Sequence, residues 1–239
     1  MPLLQPSLGN HRGIVADRWR RPITGVSLAS RLSRRLPPAT RTLLDTLGAL
    51  ARAHGARAFL VGGLVRDVWG AGRLDARDLD VVVEGDGLAL ARALAETIGG
   101  SVVEHRRFLT ASVRTGDQRV DIATSRAERY EAPGALPRVI PAGIAQDLGR
   151  RDFTVNAMAV ELGSGSFDLL DPLSGRVDFG RRRLRVLHPL SFVEDPTRVF
   201  RAARYAARLG FAEDAWTARA RALALERVPY PALSPQRVA

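Results

Sequence analysis

Two aspartates, Asp78 and Asp80, flank a single leucine at the head of an apolar run, DLDVVVEG. The two-residue period of a strand puts both carboxylates on one side of a sheet, where like charges repel unless a cation lies between them. A hard divalent ion relieves that repulsion, and Mg²⁺ takes one or two carboxylates and completes its shell with substrate phosphates. Asp121, in RVDIAT on a later strand, can come alongside as a third acid. Three carboxylates on neighbouring strands would make a two-metal site for phosphoryl or nucleotidyl transfer. D-x-D also occurs at strand mouths and caps that do no chemistry, so the pair needs support from elsewhere in the chain.

That support begins with LVGGLVRD, where Gly62 and Gly63 interrupt an apolar segment. Glycine there loses the most backbone entropy on ordering and packs nothing, so stability does not explain it. Between a strand and a short helix the two glycines let a phosphate approach the backbone N–H groups, with Arg66 one turn on as a fixed cation. Arg150 and Arg151 precede Asp152 in GRRDFTVNAM. In EDPTRVFRAARYAARLGF, Asp195, Arg198 and Arg201 recur at spacings of three, and Arg204 extends the series along one helix face. Read alone, that run is better taken as a solvated arginine face on a helix that starts at Asp195 and Pro196.

The elements that must position these residues follow from pattern. PATRTLLDTLGALARAHG is an amphipathic helix that stops at Gly55, RAFLVG is a strand, and a short helix runs from near Gly63 to Gly70. LDVVVEG is a second strand and GLALARALAETIGG a helix; SVVEH, LTASVRT and QRVDIAT are three short strands with a turn at Thr115-Gly116-Asp117. These last strands follow each other too closely for crossover helices, which excludes a Rossmann array and predicts an α/β (α+β) head with a helix-covered mixed sheet. Residues 125–145, with three prolines, read as a long surface loop. Met158, Val160 and Leu162 alternate as core positions, and a helical segment follows from about residue 188.

Composition narrows the classes. The 239 residues carry a net charge of +11, and all 36 basic residues are arginine. The arginine and alanine excess fits a GC-rich coding sequence, and the surplus positive charge fits a polyanionic partner such as nucleic acid. With no cysteine and four histidines, His11, His54, His105 and His188, zinc chemistry is disfavoured. No apolar run spans a bilayer and no secretory pattern opens the chain, so the expectation is a cytoplasmic protein without a membrane partner. Residues 1–39, rich in Arg, Pro, Ser and Gly, read as a basic disordered tail, residues 40–187 as the head and residues 188–239 as a helical neck.

In their order, LVGGLVRDVWG, RDLDVVVEG, DLGRRDFTVNAMAV, DPLSG and EDPTRVFRAARYAARLGF resemble the head and neck of the class II tRNA nucleotidyltransferase and bacterial poly(A) polymerase family. The resemblance covers nearly everything from residue 57 onward. It implies that Asp78 and Asp80 bind catalytic Mg²⁺ and that Asp121 completes the carboxylate set. It also implies that Gly62, Gly63, Arg66, Arg150 and Arg151 contact a nucleotide, and that Asp195 and Arg198 meet the incoming base with Arg201 and Arg204 toward the phosphates. The implied reaction adds C, A or both to a tRNA 3′ end from CTP and ATP; poly(A) synthesis would use the same residues, and a non-catalytic RNA-binding fragment is the alternative from another class. An acceptor-only Asp195 beside a donor-only Arg198 suits cytosine and adenine, which pair an exocyclic amine with a ring acceptor, and rejects uracil and guanine. Two departures stand out. Leu109 follows Phe108 where relatives usually carry glycine, and the sequence ends at ALSPQRVA, about where relatives continue into body and tail domains.

Overall fold

The computed structural model describes residues 28–70, 74–132, 135, 137–164 and 167–227. In chain order the elements are α1 (Leu28–Arg35), α2 (Pro38–Ala53), β1 (Arg57–Val61), α3 (Gly63–Asp67), β2 (Asp78–Glu84), α4 (Gly87–Ile98), β3 (Ser101–His105), β4 (Thr110–Thr115) and β5 (Gln118–Thr124). There follow β6 (Arg126–Arg129), β7 (Arg138–Pro141), α5 (Ile144–Gly149), β8 (Ala159–Glu161), β9 (Leu169–Leu170), α6 (Gly175–Gly180) and β10 (Arg183–Leu184). The neck region holds α7 (Ser191–Glu194), α8 (Thr197–Leu209), β11 (Ala212–Glu213) and α9 (Ala215–Arg227).

Seven strands form one mixed sheet in the order β3-β4-β5-β2-β1-β8-β9. Only β2 and β5 pair in parallel, with α4, β3 and β4 between them in sequence; the other neighbours are antiparallel. The period of two divides β2 cleanly. Leu79, Val81 and Val83 turn to the face covered by Leu43, Leu44 and Leu47 of α2 and Leu90 and Leu94 of α4. Full burial of each such leucine contributes roughly 1.5–3 kcal/mol, so this layer anchors the head. Val82 turns to the other face, where it meets Phe59, Val61, Ala159 and Leu148 of α5. Asp78 and Asp80 share the parity of Val82, which sets both acids on the α5 side, and the expected pairing of period and face holds.

Two expectations are corrected. Within the basic stretch up to residue 39, Leu28–Arg35 form α1 and α2 already begins at Pro38; α1 buries Leu28 and Leu32, with Leu36 just beyond, in the main core. The spacing of four places these leucines on one helix face, which gives the segment a reason to order that a count of arginines misses. Residues 1–27 lie outside the described residues. The expected loop at 125–145 is an antiparallel hairpin instead, with Arg126 opposite Pro141 and Arg129 opposite Arg138, and α5 begins before it would end. Pro141 sits at a strand terminus, where a missing N–H costs no ladder bond.

The head and neck share a core. Phe153 and Val155 pack with Leu184, Val186, Phe192, Ala202, Phe211, Ala220 and Ala224, and β10 pairs with β11 in parallel. A boundary at residue 187 therefore runs through a common hydrophobic cluster. Leu109 takes φ +53, ψ +42, the left-handed region in which a glycine carries no Cβ penalty. Among the described residues no helix is long and apolar enough to cross a membrane.

Candidate active site

A cavity of about 370 Å³ opens where the α5 side of the sheet, the hairpin and the neck meet. It is lined by Gly62 and Gly63, by Asp80, by Glu128 and Tyr130 of the hairpin, by Arg150, Arg151, Asp152 and Asn156, and by Asp195, Arg198, Arg201 and Tyr205. Gly62 (φ +76) turns the chain out of β1 directly over Asp80: a Cβ there would lie 2.7 Å from Asp80 Oδ2. Any side chain would therefore fill the space above the acid, and left-handed backbone would strain it as well.

Asp80 pairs in register with Asp121 across the parallel β2–β5 ladder. Solvent reaches Asp80, yet the surrounding protein strips part of its hydration and pushes its carboxyl above the usual range. Arg151 opposes that rise, and Asp121 and Asp78 add to it. Asp121 itself is occupied: Oδ1 accepts from Ser112 Oγ and, at 2.9 Å, from Arg119 Nε. Among the described residues no three His, Cys, Asp or Glu side chains converge to hold a metal. Asp121 nonetheless faces Asp80 in register and, with Asp78, adds to the negative charge around it, with open space above Asp80. An all-oxygen pair completed by phosphates fits a hard divalent ion, and an unrelieved cluster of like charge is what such an ion would neutralise.

The arginines divide by how they are held. Arg150 donates to Asp147 Oδ2 at 2.7 Å and to Glu128 Oε1 at 2.8 Å, and Arg151 donates to Asp147 Oδ1 at 3.0 Å. Burial works to raise the Asp147 carboxyl, but Arg151 and Arg150 outweigh it and hold it below the usual range. Arg201 Nε donates to Asp152 Oδ2 at 2.8 Å and its Nη2 to Tyr205 Oη at 3.1 Å. Asp152 also accepts from Phe153 N and Asn156 Nδ2. Burial pushes Asp152 up; Arg201, Asn156 and the Phe153 amide more than reverse it. Asp152 thus orients Arg201 of the neck rather than the adjacent Arg151.

Arg66 does not line the cavity. It is 1% exposed, bonded to both oxygens of Asp67 and, through Nη1 at 2.7 Å, to Asn156 Oδ1. Its guanidinium lies over Tyr205 at 5.4 Å and behind Gly63, so it holds the glycine turn against α8 rather than reaching solvent. Arg204 is exposed on α8 and is also outside the lining. The other expected nucleotide contacts, Gly62, Gly63, Arg150, Arg151, Asp195, Arg198 and Arg201, all line one cavity.

Asp195 and Arg198 face each other, with Nε 3.8 Å from Oδ2. Asp195 Oδ1 accepts from Thr197 N and Oγ1, so it also secures the start of α8. Arg198 is 4% exposed; Nη1 donates to Ser191 Oγ at 2.7 Å and Nη2 to the Arg150 carbonyl at 2.7 Å. Two neutral acceptors fix this guanidinium in place beside the Asp195 carboxylate.

Glu128, Tyr130, Asp147, Ser191 and Tyr205 belong to the site but escaped the sequence reading. Glu128 and Tyr130 had a signal: the alternation in RAERY puts them on one side of a strand, and Tyr130 Oη donates to Glu128 Oε2 at 2.8 Å. Burial raises the Tyr130 hydroxyl and Glu128 adds to that, so it stays protonated. Ser191 had none, because only the folding of α7 against α8 brings it to Arg198.

Fold and site together define a nucleotidyltransferase head. Residues 58–185 match the family described as the Poly A polymerase head domain, and the chain belongs to that family. An A-adding tRNA nucleotidyltransferase of Geobacter sulfurreducens is 44% identical over 182 residues, covering 75% of this chain and 20% of that protein. A CC-adding tRNA nucleotidyltransferase of Deinococcus radiodurans is 42% identical over 177 residues, covering 73% of this chain and 46% of that protein. An apo CCA-adding enzyme superposes with a TM-score of 0.81 at 37% identity, over 89% of this chain and 50% of its own. The chain thus spans half or less of the length of each of these proteins. Nucleotidyl transfer generally works through a divalent metal.

Proposed function

We propose that the chain extends an RNA 3′ end, that of tRNA, by adding C, A or both from CTP and ATP. One observation carries the reading: Asp80 of the acid pair and the Asp195–Arg198 pair line the same cavity. A nucleoside triphosphate offers a base to one end of that cavity and phosphates to the other. Its likeness to A-adding and CC-adding tRNA nucleotidyltransferases supports the same substrates.

Asp78 and Asp80 would hold Mg²⁺, which when bound neutralises triphosphate charge and favours in-line displacement. The RNA 3′-hydroxyl forms the new P–O bond at the α-phosphate and gives up its proton to solvent, and pyrophosphate leaves with the electron pair of the broken bond. Arg151, beside Asp80, and Arg201, fixed on Asp152, place positive charge where the displacement builds negative charge. Asp195 accepts from the exocyclic amine of cytosine or adenine and Arg198 donates to the ring nitrogen; uracil and guanine would set a carbonyl oxygen against the carboxylate. A cytoplasmic location goes with these proposed substrates.

The test is incorporation of each labelled nucleoside triphosphate into tRNAs ending before CCA, after CC and after CCA. Addition that stops at CCA and falls on the order of 10³-fold in Asp80→Ala, several kcal/mol of lost transition-state stabilisation, is the expected result. Unbroken A addition to generic RNA would replace the tRNA reading with poly(A) synthesis. A folded chain that incorporates nothing would overturn the activity.

A further inference from the structure

We propose that α1, the turn after α3 and α6 form a docking surface for the sugar-phosphate backbone of RNA, sharing no residue with the nucleotide cavity; the choice of RNA rests on the function proposed above. The centre of the surface is Trp69. The guanidinium carbons of Arg31 and Arg176 lie 5.2 and 5.1 Å from its ring centroid. Two cations gathered on one indole repel each other, and exposed cation–π contacts return only about 0.5–1 kcal/mol apiece. Among the described residues neither arginine forms an ion pair, nor does Arg34, which is exposed and one turn along α1 from Arg31. The acid nearest in charge, Asp171, accepts from the Arg176 amide at 3.0 Å, and its carboxyl responds to the Arg176 charge without an ion pair to the guanidinium. The positive charge continues past α6 into Arg181, Arg182 and Arg183, all exposed and likewise without an acidic partner among the described residues. A six-residue helix spans about 9 Å, so the arginines at its two ends can meet separate phosphates of one strand.

The surface is rigidly mounted. Arg35 Nη1 donates to the carbonyls of Asp67, Val68 and Gly70 at 3.2, 2.6 and 2.6 Å, which fastens α1 to the end of α3 and satisfies carbonyls left open there. The leucines that would let α1 enter a lipid interface, Leu28 and Leu32, are 6% and 1% exposed and belong to the core. A basic helix whose apolar face is already buried suits a polyanion in water rather than an anionic membrane.

The experiment uses the full chain and a fluorescently labelled tRNA ending before CCA, with anisotropy titrations across a salt series. Wild type is compared with Arg31→Ala/Arg34→Ala/Arg176→Ala and with Arg34→Glu, which alters only an exposed side chain; thermal melts check that each is folded. The expected result is a loss of about tenfold or more in affinity and a salt slope shallower by about 2 to 3 in the triple variant, one phosphate contact per arginine. Arg34→Glu should weaken binding by itself, with the KM for CTP and ATP unchanged. Unaltered affinity and slope in folded variants would overturn the surface, even where wild type adds nucleotides. A wild type that binds tRNA through these arginines yet adds nothing would sink the activity and leave the surface standing. Arginine-dependent capture by phosphatidylserine vesicles, with tRNA binding unaffected, would overturn RNA as the occupant.

Discussion

The cavity and the Trp69 face are both rich in arginine, and they treat it in opposite ways. In the cavity Arg150 and Arg151 share the buried Asp147, and Arg201 is held by the buried Asp152. On the Trp69 face, Arg31 and Arg176 rest on an indole, and Arg34 points to solvent with no acid in reach among the described residues. Pairing costs positive potential but fixes each guanidinium in one geometry, which is what recognition of a single small molecule demands. An unpaired face keeps its potential and gives up precision, which suits a long polyanion whose charges repeat.

The largest way to break the contrast is Asp152→Ala. It leaves Arg201 without its acid and takes a partner from Asn156, which in turn bonds Arg66. Arg201 is 40% exposed and can rehydrate, so the main loss comes from the buried Phe153 amide and Asn156 donor left without an acceptor, about 1–3 kcal/mol each. Urea unfolding should shift by that order and incorporation should fall with it. Ser191→Ala is narrower. It removes the oxygen that receives Arg198 Nη1, a charge-assisted bond of roughly 1.5–3 kcal/mol. The expected outcome is about a tenfold or greater loss of discrimination against UTP and GTP, measured as the ratio of kcat/KM values.

Acid sharpens the same comparison. Asp147 and Asp152 are held below their unfolded values, so their contribution is complete above about pH 5 and is lost as pH falls through the unfolded and then the lower folded values. Urea midpoints should hold from neutrality to about pH 5 and then decline, with a smaller decline in Asp152→Ala. Asp80 carries the opposite sign: its raised carboxyl means that ionisation disfavours the folded state as pH rises through the folded value. Asp80→Asn should therefore be more stable than wild type at neutral pH without metal, and the gain should vanish below about pH 4, where both states of the wild-type acid are protonated. The smallest effect belongs to the unpaired face. Arg34→Ala should change the unfolding free energy by no more than about 0.5 kcal/mol, because an exposed arginine with no partner has little folded-state interaction to lose.

Much of the head was legible because its signals are local. The period of two that sends Asp78 and Asp80 to one face, the glycines that close α4 and the tight turn at Gly116 each act over a few residues. The hairpin at 126–141 was obscured by its prolines, although the alternation of Glu128 and Tyr130 was present. α1 was obscured by arginines that share a helix with buried leucines. Arg66 illustrates the limit most clearly: its place after two glycines suggests a phosphate contact, whereas a residue ninety positions on, Asn156, claims its guanidinium.

By itself, the sequence determined which residue types could do chemistry and in what order along the chain. The acid pair, the glycine turn, the two arginines before Asp152 and the neck series from Asp195 are all properties of spacing, and spacing controls face and period. Tertiary structure alone decided which arginines reach the cavity and which brace it. It occupied Asp121 with Ser112 and Arg119, gave Asp152 to Arg201, and set Ser191 behind Arg198. Those assignments depend on which charges lose water together, and that is settled only when distant segments pack against one another.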